Sequence, residues 1–487
     1  MKMKKISVYT LLLATVLASS CQKDKLDPRP ASDMPDYMVF ETKERIASQY
    51  NGLYTVLKHG RFLGGKFQIA NEVRGEDYLN ERANNVTLQA TWKRIVGNEV
   101  QEVKEIWSQG YLAINNANLF IDGMAAKGNS VVGDSLGKIY VAEAKFVRAI
   151  SYFSLLQLFA RPYWDGNGSK PGLILYTEGH KDKGNYSKAR STTAETYAQI
   201  LKDLNEAEAA LPKVNAGSTA AVTHANYYTV VALKMRVYLH MGQYDKVVAE
   251  GAKLVSAAAP FTSPGGHALV PEIAKVFQLP YTTSESIFSL PFTSTVGDYP
   301  GTQTQLGYYF TPKAPPLQGN GEYSLLPTGI ISDKGWKDGD ARRKLLTAVG
   351  SKYYMTKYAV PSPFTDWAPI IRYAEVLLNL AEAKARLNTG VDAGALELLN
   401  AVRHRSDPTV TFTAATLTTQ QALIDAILNE KHIELLGEGF RSMEVTRTGA
   451  TFAARATYVA VPPTSSAYIW PISSDELVYN KLCVDNQ

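Results

Sequence analysis

The sequence predicts a mostly α-helical protein in which paired helices form a scaffold and a loop-rich lobe with short strands is inserted. Three observations support this prediction. Apolar residues recur at three- and four-residue spacings, one helix–turn–helix unit has the signature of a stacking repeat, and more than half of the 23 prolines fall in one stretch. Of the 487 residues, 45% are hydrophobic and 20% charged, a composition that excludes a disordered, collagen-like or polytopic membrane protein.

Residues 1–20 are predicted to be a signal peptide, because a start with three lysines is followed by the apolar stretch 6–18, which is too short to span a bilayer. Small residues then lead into Cys21, an arrangement that resembles the lipobox of bacterial lipoproteins, where the cysteine is acylated and becomes the new N-terminus. Residues 21–41 would then form a lipidated, solvated tether, and residues 42–487 the folded domain. The alternative is a secretory peptide cleaved elsewhere, which leaves Cys21 as a free thiol.

Helical periodicity begins at about Thr42. The longest amphipathic patterns before the proline-rich stretch cover 98–123, 138–159 and 192–211, the last beginning with a capping box of Thr192 and Glu195. The segment 223–260 then predicts a helix, a Gly-Gln-Tyr-Asp turn, a second helix and a proline, which resembles a tetratricopeptide unit. Such a unit buries its apolar face only by stacking on neighbours, and further helices are predicted over 370–387, 393–405 and 420–436.

The stretch from about 260 to 369 has a different texture, with many prolines and glycines and with aromatic residues that follow no helical period. Long irregular segments inside large domains are usually functional or disordered, and this one is too aromatic for disorder. We therefore expect an ordered lobe docked on the helical scaffold.

Charge and motif content exclude several classes of function. The net charge is +5, and it falls to +2 once the three leader lysines are removed, so nucleic acid is not an expected partner. Two cysteines exclude a disulfide-dense scaffold or a multi-cysteine metal centre, and the seven histidines have no metal-ligand spacing. The common hydrolase, metalloprotease and nucleotide-binding motifs are also missing from the sequence, so we expect no catalytic residues, cofactor or metal.

Several ordered blocks resemble the SusD/RagB family of surface nutrient-binding lipoproteins from Bacteroidetes. The N-terminal blocks are the Trp107, Tyr111, Ile114, Asn118 pattern and the A-E-A-x-F-x-R-A run 142–149. The C-terminal blocks are 372–383, with R-Y-A-E and A-E-A, then Glu430, Glu434, Glu438-Gly439, Arg441 and Arg447, and the closing segment 468–480.

This resemblance implies a SusD-like fold and a protein that lies on the outer membrane, lipid-anchored and facing the exterior. It would capture an oligosaccharide, or a peptide in the RagB-like branch, and deliver it without catalysis to a SusC-like TonB-dependent transporter. Membrane contact would come through the lipid anchor only. The competing class is a surface glycoside hydrolase, which needs two carboxylates about 5 to 10 Å apart across a cleft.

Sugar sites combine flat aromatic faces with amide, carboxylate and guanidinium groups. Two regions offer this mixture: the segment 71–98, placed as the family's N-terminal ligand loops are, and the proline-rich lobe. A packing role is the alternative for each aromatic residue, since tyrosine and tryptophan commonly bridge core and surface. The candidate ligand contacts are Asp77, Trp92, Asn98, Tyr299, Tyr308 and Tyr309.

The charged residues of the C-terminal blocks are expected to be structural, because buried charges need partners. We expect Glu434 or Glu438 to face Arg441 or Arg447 and so to tie the last helix to the fold.

Replacing Cys21 with alanine removes the sulfur that acylation requires, so we expect the variant to leave the membrane fraction. The measurement is fractionation of cells that express the Cys21→Ala variant beside the parent protein. Persistent membrane association of the variant would contradict the lipoprotein prediction.

Overall fold

The computed structural model describes residues 38–455 and 457–486, so the predicted signal peptide and Cys21 lie outside the described residues. In those residues no helix is both long enough and apolar enough to cross a membrane. The helices are α1 Lys43–Leu57, α2 Lys66–Val73, α3 Gln89–Lys93, α4 Gln101–Gly123, α5 Asn129–Val132, α6 Asp134–Phe159, α7 Thr193–Ala210, α8 Ser218–Thr223, α9 Tyr227–His240, α10 Tyr244–Gly251, α11 Leu306–Phe310, α12 Tyr373–Leu387, α13 Ala393–Ser406, α14 Gln420–Glu434, α15 Arg441–Thr448 and α16 Ser474–Tyr479. The strands are β1 Tyr78–Asn80, β2 Ser286–Leu290, β3 Tyr323–Leu325, β4 Leu346–Val349, β5 Lys352–Met355 and β6 Ala368–Arg372.

The long helices form a continuous stack, which confirms the predicted mostly α-helical scaffold. Helix α4 packs on α6, α6 on α7, α7 on α9, α9 on α10, α10 on α12, and α12 on both α13 and α14. The predicted capping box is present at the start of α7, where Thr192 Oγ1 accepts from the backbone N–H of Glu195 and the Glu195 carboxylate accepts from the backbone N–H of Thr192. Each amphipathic helix thus buries its apolar face against the next pair, as in stacked repeats.

The helix predicted over 370–387 begins three residues later than expected. Residues 370–372 are the end of β6, which pairs antiparallel with β2, and α12 starts at Tyr373. Ile370 and Ile371 are apolar and all three residues are buried, and a short buried run of this kind does not distinguish a strand from the first turn of a buried helix.

Polar residues of the N-terminal motif blocks join α4 to its neighbours. Arg148 on α6 forms an ion pair with Asp203 on α7 (2.6 Å) and donates to the Asn118 side chain on α4 (2.8 Å). The Asn118 amide in turn donates to the carbonyls of Tyr176 (2.9 Å) and Glu178 (3.1 Å). These side chains satisfy one another's buried charge and hydrogen-bonding groups, so the motif serves packing.

Short antiparallel strands and short helical turns form the regular structure in the lobe. Strands β1, β3, β5 and β4 form one sheet in that order, and β2 pairs with β6 in a second. Strand β1 comes from the N-terminal region, far from the lobe in sequence, and its register with β3 sets Tyr78 opposite Leu325 and Asn80 opposite Tyr323. The lobe is therefore joined to the N-terminal half through a shared sheet.

A buried ionic network connects the lobe to the helical scaffold. At its centre, Glu434 at the end of α14 pairs with Arg372 (3.0 Å), Arg405 (2.5 Å) and Arg342 (3.2 Å). Burial alone would raise the pKa of Glu434, but these three guanidinium groups outweigh it and hold that pKa well below its ordinary value. The members of the network are Glu285, Asp340, Arg342, Lys357, Arg372, Arg403, Arg405, Glu430, Glu434 and Glu438.

The expectation that Glu434 or Glu438 faces Arg441 or Arg447 is wrong, although each of these four residues is in an ion pair. Glu438 binds Arg372 and Lys357. Arg441 instead pairs with Glu76, next to α2, and Arg447 with Glu382 on α12 and Glu444 on its own helix. Sequence spacing suggested pairs within the C-terminal blocks, whereas most of the partners come from distant segments, the pair of Arg447 with Glu444 being the local exception.

Glu434→Gln removes the charge shared by three buried arginines, and we expect the free energy of unfolding to fall by about 3 kcal/mol at neutral pH. Glu397→Gln is the matched control, because Glu397 is exposed on α13 and should change stability little. The measurement is urea unfolding of both variants and the parent.

The stability difference between the parent and Glu434→Gln should also depend on pH. Since the folded-state pKa of Glu434 is lowered, its contribution is fully present above the unfolded pKa and is lost as pH falls. The stability gap between the parent and Glu434→Gln should therefore narrow below about pH 4.5. A gap that stays constant down to pH 3 would show that Glu434 does not act through its charge.

Candidate functional site

The two regions that the sequence singled out for ligand contact lie side by side. The segment that follows α2 contributes β1, which pairs with β3 of the lobe, and the backbone N–H of Glu81 continues the ladder by donating to the Glu322 carbonyl (2.8 Å). Beyond this edge Arg82 is exposed and Asn320 is half-buried. The candidate site is therefore assembled from both halves of the chain.

A half-buried tyrosine, Tyr308 on α11, lies at the centre of this area. Its hydroxyl oxygen accepts from the side-chain amides of Asn320 (3.0 Å) and Gln303 (3.4 Å). Its ring contacts Phe364 edge to face, with centroids 6.0 Å apart. Arg82 donates from Nε to the Asn320 carbonyl (3.0 Å). We call Arg82, Gln303, Tyr308 and Asn320 the Tyr308 cluster.

The turn Gly319-Asn320-Gly321 positions the Asn320 amide. A Cβ at Gly319 would lie 1.9 Å from the Thr311 carbonyl oxygen, and Gly321 has φ +62°, so both neighbours need glycine. Buried Glu322 accepts from the Asn320 side-chain amide and from Thr87 Oγ1 (2.8 Å). The amide is thus held in place by a carboxylate, and the two glycines let the turn pack closely against the segment of Thr311.

A second aromatic pair lies at the end of the lobe. Half-buried Trp367 stacks on Tyr281, with centroids 5.3 Å apart and an interplanar angle of 18°. The adjacent Asp366 is buried, and burial raises its pKa to about 7, although the backbone N–H of Val360 donates to it (3.0 Å). Asp366 lies beside Gly307, because a Cβ on that glycine would be 3.5 Å from its Oδ2. The Tyr281 hydroxyl donates to Asp366 (3.5 Å), so the aromatic pair is linked to α11 through this carboxyl group.

Three of the six predicted contact residues are buried and lack the exposed face that a sugar needs. Trp92 is 8% exposed; its indole N–H donates to the Tyr78 carbonyl (2.8 Å) and Arg455 covers its ring (4.9 Å). Tyr309 is fully buried and donates to the Gln303 carbonyl (3.0 Å). For these residues, and for Asp77 below, the packing alternative describes the structure, because each fills space or completes a hydrogen bond behind the surface.

Asp77 is a structural link between the lobe and the scaffold. Its carboxylate accepts from the backbone N–H of Ile330 (2.8 Å) and lies 2.5 Å from His432 Nε2 on α14. Asp77, His432 and Glu76 form a group with metal-ligand chemistry. Glu76 already pairs with Arg441, and a guanidinium at this point opposes the binding of a cation.

Tyr299 and Asn98 are half-buried. The Asn98 carbonyl accepts from the backbone N–H of Ser474 (3.1 Å), and Asn98 lies outside the Tyr308 cluster's hydrogen bonds. Sequence reasoning did not select Arg82, Gln303 or Asn320. The signal for Asn320 was present in its flanking glycines, whose close-approach role is typical of a functional turn.

Comparison with known proteins gives the family. The family model "SusD family" matches residues 332–487, and the model "Starch-binding associating with outer membrane" matches residues 24–239. SusD-like protein P38 from Formosa agariphila is 24% identical, with 98% of each chain covered.

Solved structures agree with these matches. A SusD superfamily protein from Bacteroides fragilis is 32% identical, with a TM-score of 0.80, and the alignment covers 91% of this chain and 99% of that one. Surface glycan-binding protein A from Bacteroides thetaiotaomicron, solved with laminarihexaose, shares the fold at 17% identity and a TM-score of 0.72, covering 91% of this chain and 99% of that one. Together with the blocks of paired charged residues and the helix stack, these matches establish that the chain belongs to the SusD family.

Proposed function

We propose that this protein is a non-catalytic, lipid-anchored glycan-binding protein of the cell surface, which captures oligosaccharides and delivers them to a SusC-like TonB-dependent transporter. The observation that carries the binding role is the Tyr308 cluster, where one half-buried aromatic ring is surrounded by two amides and a guanidinium. This combination matches a pyranose ring, which has an apolar face and a rim of hydroxyls. The laminarihexaose complex of a fold relative agrees with a glycan as ligand.

In this proposal Tyr308 provides the stacking face, and Arg82, Gln303 and Asn320 bind hydroxyl groups. Tyr299 and Asn98 are additional proposed contacts, because their side chains are half-buried. Trp92, Asp77 and Tyr309 support the site from behind.

A non-catalytic role is supported by the state of the carboxylate next to the cluster. Glu322 is fully buried and accepts from Thr87 and Asn320, so it is engaged in positioning and is not exposed to a ligand. A glycoside hydrolase needs two carboxylates facing each other across the substrate. The helix stack is the proposed docking scaffold for the transporter, and the lobe with β1 is the proposed ligand-holding side.

Tyr308→Ala removes the stacking face, and we expect affinity for the bound glycan to fall at least about fivefold, since an aromatic contact contributes about 1 kcal/mol. Tyr308→Phe keeps the ring and should lose less of that affinity. Tyr479→Ala is the control, because Tyr479 is 83% exposed on α16, away from the cluster's contacts. The measurement is retardation in polysaccharide-containing gels, followed by calorimetry with the retained glycan.

The same panel separates the proposed function from its competitors. Shortened products after incubation with polysaccharides would identify a hydrolase. Binding of peptides with no retardation by any glycan would favour the peptide-binding alternative. Equal affinity of folded Tyr308→Ala and the parent would remove the Tyr308 cluster as the site.

Delivery is tested by purification of the protein from its native membranes under mild detergent. We expect a TonB-dependent transporter to copurify in stoichiometric amount with the parent protein. A protein that purifies without any transporter would contradict the delivery role but leave glycan binding intact.

A further inference from the structure

Three buried arginines differ from the other buried arginines of the described chain. Buried Arg148, Arg236, Arg342, Arg372, Arg403 and Arg447 each pair with a carboxylate. Arg74, Arg94 and Arg455 are 2%, 7% and 3% exposed, and none has a carboxylate within ion-pair distance among residues 38–455 and 457–486. We call these three residues the arginine cluster.

Backbone carbonyls bind the arginine cluster but do not neutralise it. Arg74 donates to the Ala467 carbonyl (2.9 Å), and Arg94 to the carbonyls of Arg74 (2.9 Å) and Ala453 (2.7 Å). Arg455 donates to the Val73 carbonyl (2.6 Å). A carbonyl satisfies a hydrogen bond but forms no ion pair. Glu76 acts on Arg94, and Glu76 and Asp77 act on Arg455, only from beyond ion-pair distance, so the positive charge is compensated in part, which is costly in a buried place.

The three guanidinium groups are close enough to affect one another. Arg94 and Arg455 both donate to the Gly75 carbonyl, and Arg74 and Arg94 both lie over the Phe452 ring, at 4.6 and 5.3 Å. Burial, together with the charge of Arg94, lowers the pKa values of Arg74 and Arg455 to about 9. All three therefore remain charged at neutral pH and repel one another.

An open cleft of about 330 Å³ borders the cluster, at the lower end of the volume range of small-molecule sites. Arg74 and Arg94 line it on one side, and Trp470 and Ile469 on the other. Trp470 is 1% exposed, yet its indole Nε1–H has no acceptor among the described residues. Buried donors without acceptors are rare in native proteins, and one that lines a cleft together with two buried arginines indicates a missing acceptor.

We infer that this cleft is a binding site for a small oxyanion, a sulfate, phosphate or carboxylate, held by Arg74, Arg94 and the Trp470 indole N–H, with Arg455 adding positive charge behind them. Such a group supplies both things that are missing, negative charge and acceptor oxygens. The oxyanion can be a free ion or the charged substituent of an acidic polysaccharide. The inference does not depend on the Tyr308 cluster, with which it shares no residue.

The test is calorimetric titration of the purified protein with sodium sulfate and, separately, with sodium phosphate and sodium acetate, at ionic strength fixed with chloride. We expect saturable binding of at least one of these anions. Tyr308→Ala should bind it as the parent does, which separates this site from the proposed glycan site. The absence of saturable binding of all three would overturn the inference.

Two variants identify the site without large changes in packing. Trp470→Phe removes only the N–H and part of the ring, and should weaken binding about tenfold or more, the value of one hydrogen bond to a charged group. Trp336→Phe is the matched control, because Trp336 is also buried, also has an indole N–H without an acceptor and lies 4.2 Å from Arg343. Equal affinities of the two variants would contradict the assignment of the cleft.

Arg74→Gln should weaken anion binding more than Trp470→Phe does, because it removes a charge. If Arg74→Gln fails to fold, the comparison of Trp470→Phe with Trp336→Phe still tests the site. The source of the anion is resolved by competition. Displacement of sulfate by a sulfated or carboxylated oligosaccharide, but not by its uncharged counterpart, assigns the site to a substituent of the glycan. If sulfate binds and the charged oligosaccharide does not displace it, the site is assigned to the free ion.

Discussion

The convergence of three arginines on Glu434 is the interaction on which the rest of this molecule depends. Arg372 ends β6, Arg405 lies on α13 and Arg342 belongs to the lobe, so one carboxylate fixes three segments relative to α14. Each charge in the buried ionic network is expensive to bury alone, and removal of any member leaves its partners uncompensated. The lobe has only short strands, so this network and the shared sheet determine where it docks.

The buried ionic network also explains how irregular backbone can hold a binding surface. Most of the lobe is loop, and loops normally adapt to their surroundings. Here Glu285, next to β2, binds Arg372 and Arg405, while Lys357, just past β5, binds Glu438. With both sheets fixed at their ends, the turn of Asn320 and helix α11 between them have little freedom. A site assembled in this way loses little entropy when a ligand binds.

Much of the fold follows from local sequence signals, and most of the site does not. The helix stack, the capping box at Thr192 and the lobe depend on periodicity and on proline content, which act over a few residues. The partners of Glu434 and the burial of Trp92 depend on contacts between distant segments. No spacing rule distinguishes a core tryptophan from an exposed one. Trp92 is buried because it contacts Tyr78 and Arg455, two residues whose proximity the sequence does not reveal. The only sequence signal for Asn320 was its two flanking glycines. The reason for a glycine at 319 is the close approach of Thr311, which the sequence does not show.

The pairing of Asn80 with Tyr323 has a consequence for the order of assembly. Local helices can form as soon as their own residues are available, but this three-residue ladder needs two positions that most of the scaffold separates in the chain. Closing so long a loop carries an entropic cost that the helix stack must first offset by bringing the ends near each other. The surface around Tyr308 is therefore among the last parts to be completed. A partly folded chain holds its helices without holding a finished ligand surface, so recognition begins only when the whole domain is in place.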